Sequence, residues 1–127
     1  MKRIAAAVLA LALGANAMVM LAAGAWWYGA VPGVGETGPY NAHFVKDVGA
    51  AYLVAAAALA WHAVRPAAAR GAMIGAAGFL AFHGVIHIAD ALSGGDALGE
   101  FIRDFPGVFL PAILAVWIAG PTRSKAA

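Results

Sequence analysis

The sequence predicts an all-α fold: an integral membrane four-helix bundle with a short amphipathic helix on its outer surface before the last span. Three observations predict it. Hydrophobic residues make up 64% of the 127 residues and charged residues only 11%, whereas a soluble domain carries about 25% charge. The apolar residues gather into four runs that approach or reach the roughly 20 residues needed to cross a bilayer. These runs are alanine-rich and lack the period-2 alternation of a barrel strand, so helices are the solution that satisfies the backbone in lipid. The same composition excludes a disordered chain. The absence of cysteine excludes disulfides, thiolate metal sites and thiol catalysis.

The first span is expected at about residues 4–28. Met1-Lys2-Arg3, the run Ile4–Gly14 and Ala15-Asn16-Ala17 together have the outline of a signal peptide. The apolar run continues to Trp26 and Trp27, which is long enough to span, so an uncleaved first helix is expected. The second span is expected at about 44–64, with Lys46 and Asp47 at its start, and the third at about 72–92. The fourth, at about 106–120, is short at roughly 15 residues and needs extension backward. Before it, Leu98, Phe101, Ile102 and Phe105 recur at helical spacing, with Asp96, Glu100, Arg103 and Asp104 on the other side. That pattern predicts the surface helix, stopped by Pro106, whose expected role is to cap the bundle.

Charge sets the orientation. Lys2, Arg3, Arg65, Arg70, Arg123 and Lys125 flank the spans on one side, without an acid among them. The other side holds Lys46, Arg103 and all 6 acids: Glu36, Asp47, Asp90, Asp96, Glu100 and Asp104. By the positive-inside rule both termini are expected in the cytoplasm of a bacterial inner-membrane protein. The net charge of +2 therefore reflects topology, and no nucleic-acid partner or nucleotide loop is expected. Trp26, Trp27 and Tyr28 are expected to anchor one lipid interface and Trp61 and Trp117 the other. Gly71, Gly75 and Gly78 share a face of the third span and are expected to pack within the chain, a dimer face being the alternative. Asn16, mid-span, is expected to hydrogen-bond another helix.

The candidate site gathers at the outer end. His83, His87 and Asp90 form one stripe on the third span, and His43 and Asp47 stand one turn apart at the start of the second. The two spans run antiparallel through a short hairpin, so both sets lie at one depth. Ionisable groups within a span are costly unless they pair, bind or line a wet cavity. Imidazole and carboxylate at this spacing suit a divalent transition metal (Zn, Fe, Mn or Cu), with His43, Asp47, His83, His87 and Asp90 as ligands and Lys46 as charge partner. Haem held by His43 and either His83 or His87 is the weaker cofactor reading. A proton relay or quinone site and a purely structural polar network remain open. His62 is expected as an interfacial side chain at the other end.

The segments Asn41-Ala42-His43-Phe44-Val45-Lys46-Asp47-Val48-Gly49 and His83-x3-His87-x2-Asp90 resemble a pattern in a group of small bacterial four-helix membrane proteins. The chain is more loosely similar to DoxX-like four-helix proteins, some linked to respiratory or thiosulfate redox chemistry. The resemblance covers the second and third spans, about half the chain. It implies the architecture and the important positions, not a reaction. The expected function is a small membrane protein that binds a metal or other ligand at the His/Asp cluster, as an accessory subunit of a redox complex. A structural subunit and a proton-coupled small-molecule transporter are the alternatives. The lipid bilayer is the expected partner, with a homodimer or a membrane-complex subunit beside it.

Overall fold

Long apolar runs punctuated by glycine and proline become helices wherever no such break intervenes, because each helix bonds its own backbone. The computed structural model describes residues 1–121. Helix α1 covers Lys2–Ala22. It bends at Ala23 into a short α2, Gly24–Ala30, which ends as Val31 turns extended ahead of Pro32. A 3-10 turn, Val34–Thr37, follows. Helix α3, Ala42–Val64, begins at Asn41, whose side chain accepts from the amides of His43 and Phe44 at 3.0 and 3.1 Å, satisfying donors that have no helical partner. It ends at Arg65, ahead of Pro66. Helix α4 covers Arg70–Ser93. Helix α5, Ala97–Asp104, starts under an Asp96 cap. A π turn, Phe105–Phe109, carries it into α6, Leu110–Ala119.

Four segments are long and apolar enough to cross a membrane: Lys2–Ala22, Ala42–Val64, Arg70–Ser93 and Ala97–Ala119. The first is shorter than the expected run because Ala23 bends it. The fourth gains its length from α5, which is therefore continuous with the last span. The π turn has a local cause. Pro111 has no N–H for the Gly107 carbonyl and its ring crowds that oxygen. The wider turn relieves the clash, and the Leu110 amide reaches back five residues to the Phe105 carbonyl.

Each long helix packs on two neighbours. Helix α1 lies against α3 and α6, α4 lies against α3 and α6, and among the described residues neither diagonal pair touches. The result is a four-cornered bundle. Its centre is mostly alanine, with Met20, Leu59, Met73, Leu80 and Ile118 as the largest fully buried side chains. Small residues set the spacing. A Cβ on Gly49 would stand 3.0 Å from Met20 Cβ and 3.5 Å from the Ala17 carbonyl, and one on Gly84 would stand 3.8 Å from Ala112 and Phe109. The Gly71, Gly75 and Gly78 face does the opposite of what its motif predicts. A Cβ at any of the three would meet nothing within 4 Å. Packing within the chain is corrected to a face turned outward, because α3 and α6 take the Leu80–Gly84–Ala91 side of α4.

Asn16, expected to bond another span, finds its partner in the bent end of its own expected run, α2: Trp27 Nε1 donates to Asn16 Oδ1 at 2.8 Å. Trp27 is thus a packing residue against the core, while Trp26 is exposed as an anchor would be. At the end where α1 begins, Lys2 Nζ donates to the Gly120 carbonyl at 2.9 Å and Arg3 Nε to the Ala63 carbonyl at 2.8 Å. These cations cover the C-terminal carbonyls of α6 and α3, where the helix dipoles favour positive charge. Lys2 also sits 5.5 Å from the Trp117 ring centre. Arg123 and Lys125 lie outside the described residues.

Candidate functional site

The opposite, acidic end holds a string of polar side chains from four elements. Two come from α4. His83 and His87 are one helical turn apart, and their rings stand with centroids 4.7 Å apart at 69°. The third comes from the last turn of α5: His87 Nδ1 and Asp104 Oδ2 are 2.7 Å apart. A carboxylate only accepts, so Nδ1 carries the hydrogen and Nε2 is the free position of the His87 ring. The other Asp104 oxygen accepts from Arg103 Nε at 3.0 Å. Arg103 Nη1 reaches Glu36 Oε2 at 2.9 Å, tying the string to the 3-10 turn. Exposure rises along it, from 10% for the Asp104 side chain to 77% for Glu36.

Toward the bundle centre the string ends on aromatic rings. His83 stands edge-on to buried Tyr52 of α3 at 5.7 Å and stacks on Phe79 at 6.2 Å. Among the described residues no hydrogen bond reaches the His83 imidazole. Below it the core is apolar. The polar path therefore enters from one end only.

The loop between α2 and α3 closes over this string for a stereochemical reason. Gly33 has φ +83, and a Cβ there would fall 2.5 Å from the Arg103 guanidinium carbon. Glycine is needed for the left-handed backbone, and any larger residue would also displace the end of the Arg103 side chain. Tyr28 on α2 holds the same loop by donating its hydroxyl to the Gly38 carbonyl.

The five residues expected to converge divide into separate groups. His83 and His87 lie in the string. His43 and Asp47 pair with each other, Nε2 to Oδ2 at 3.3 Å, with side chains 89% and 63% exposed. The cause is angular: on α3 the buried stripe is Val45, Gly49 and Tyr52, and His43 and Asp47 lie about 160° round from Val45. Asp90 is exposed and makes no ion pair among the described residues. It sits about 80° from the Leu80 direction of α4, whereas His87 sits about 20° from it. The expected metal cluster of His43, Asp47, His83, His87 and Asp90 is thereby corrected: among the described residues no group of three or more His, Asp or Glu is arranged to hold a metal ion.

Asp104, Arg103, Glu36 and Tyr52 are the members the sequence reading missed as site residues. Only the structure shows which stripe meets the bundle, and the nearest sequence signal was the amphipathic pattern of α5. Its apolar side chains Leu98 and Ile102 are exposed, at 71% and 67%, while Arg103 and Asp104 turn toward the bundle. A segment joined to a span, with apolar groups facing lipid, sends its charges inward. Comparison with protein families, curated proteins and solved structures found no match for this chain.

Proposed function

We propose that this chain is a small multi-pass protein of the bacterial inner membrane, with both termini cytoplasmic, that binds a small hydrogen-bonding ligand at its periplasmic end as an accessory subunit of a redox complex. His83 and His87 are the contact groups. Asp104 positions His87, and the Arg103–Glu36 pair closes the loop over them. The orientation rests on the basic residues Lys2, Arg3, Arg65 and Arg70 gathering at one end.

One observation carries the reading. The His83 imidazole sits within a span with no hydrogen-bond partner among the described residues, beside a His87 whose ring is oriented by a carboxylate 2.7 Å away. A ligand with its own donor and acceptor satisfies the His83 ring nitrogens, which the described residues leave without a partner. A divalent metal forms no part of the proposal, because among the described residues no group of three or more donors is gathered for one, and the haem reading draws no support from a His43 that is 89% exposed beside Asp47. The apolar core beneath Tyr52 likewise offers no support for a proton-coupled transporter, which needs access from both sides.

The test is retention of a small molecule. Wild type, His83→Gln and Asp47→Asn are purified in mild detergent and analysed by native mass spectrometry. A molecule held by wild type and Asp47→Asn but lost from a folded His83→Gln supports the proposal. No retained molecule on wild type, or equal retention by all three, overturns it. The structural-subunit reading is favoured by one feature, the Arg103 bridge between Asp104 and Glu36. Under it His83→Leu is at least as stable as wild type and changes nothing else.

A further inference from the structure

The basic end of the bundle carries charge that no acid among the described residues neutralises. Arg3 is clamped on the C-terminus of α3, Nε to the Ala63 carbonyl at 2.8 Å and Nη2 to the Val64 carbonyl at 3.4 Å. A guanidinium has five N–H donors, so the clamp leaves the fork able to donate further. Arg65 is the next residue along, at the C-cap of α3, and Arg70 opens α4 after a short turn. Among the described residues the side chains of Arg65 and Arg70 make no hydrogen bond or ion pair. All six acids of the chain belong to the other end. His62 adds a separate observation: its Nδ1 is buried and without a partner among the described residues. Exposed apolar side chains flank the group, with Ile4 71%, Trp61 49% and Val64 68% accessible.

We infer that the seam between α1 and α3 at the basic end is a binding site for the phosphodiester headgroup of an anionic phospholipid, with Arg3 and Arg65 as its anion contacts. Arginine forks match phosphate oxygens in a bidentate geometry. A pre-clamped guanidinium loses little rotamer freedom when it binds. Exposed Ile4, Trp61 and Val64, close in sequence to Arg3 and Arg65, offer acyl chains an apolar surface that a free anion would not use. Basic pockets between spans are a recurrent way to hold anionic lipid headgroups. The inference uses only the bundle and its charge polarity, and is independent of the ligand proposed at the acidic end.

The full chain in detergent is titrated with phosphatidylglycerol or phosphatidylcholine and read by native mass spectrometry. Phosphatidylglycerol is expected to be retained about tenfold more than phosphatidylcholine, and Arg65→Gln to lower that retention about fivefold. Arg3→Gln removes a helix cap as well as a contact, so Arg65→Gln is the decisive variant. Lys46→Gln, at the acidic end, is expected to retain the lipid as wild type does. Equal retention of the two lipids, or undiminished retention by Arg65→Gln, overturns the site. Displacement of phosphatidylglycerol by millimolar inorganic phosphate also overturns it, identifying a free-anion site instead.

Discussion

Asp104 carries two contacts at once, a charged hydrogen bond from Arg103 and another from His87. Its side chain is 10% exposed, so neither partner is readily replaced by water. Asp104→Asn is expected to destabilise the folded protein by about 1.5–3 kcal/mol, measured by denaturant unfolding in detergent. Asp47→Asn, on the exposed side of α3, is expected to change stability by about 0.5 kcal/mol at most. A reversed ranking would remove Asp104 from the centre of the site. Gly33 makes a second residue-scale test. Gly33→Ala forces a left-handed non-glycine backbone and drives a Cβ into Arg103, so a cost of about 1–3 kcal/mol is expected. The Glu36–Arg103 contact should open with it, read as faster amide exchange across Val34–Thr37. The histidines at 83 and 87 were legible in the sequence, because two imidazoles at i, i+4 in an apolar run are costly. Their carboxylate partner was not, since Asp104 lies 17 residues from His87 and three closer acids, Asp90, Asp96 and Glu100, compete for the assignment.

Helix faces decide the next scale. The pattern Gly71-x3-Gly75 marks a close-packing face in many membrane helices, yet here that face meets nothing, and the close approaches are at Gly49 and Gly84. Two alanine substitutions separate the cases. Gly49→Ala pushes against Met20 and is expected to cost about 1–3 kcal/mol through overpacking. Gly75→Ala adds a methyl to open space and gains helix propensity, so stability is expected to hold or rise by up to about 1 kcal/mol. Equal losses at both positions would mean that the Gly75 face is packed, as it would be in a dimer. Helix α5 teaches the same lesson. Its apolar and polar stripes were readable, but not which one faced the bundle. A surface helix buries its apolar stripe, whereas an extension of a span turns that stripe to lipid.

For the whole molecule, the charge polarity of the bundle and its up-and-down course make orientation testable. The chain has no cysteine, so single-cysteine variants report cleanly. Gly95→Cys, in the turn between α4 and α5, is expected to react with a membrane-impermeant maleimide in spheroplasts. Ala67→Cys, in the turn between α3 and α4, is expected to react only after permeabilisation. The opposite pattern would invert the orientation and place the paired histidines toward the cytoplasm. The amino-acid sequence by itself determined that the chain is helical, that it has four spans and that its charges divide between two ends. Those properties depend on local composition and on the demand that each backbone in lipid bond itself. Only the tertiary structure decided which helix corners meet, which glycines are contacts and which carboxylate holds His87. A rotation of one helix by a single residue, about 100°, leaves hydropathy unchanged and exchanges every one of those partners.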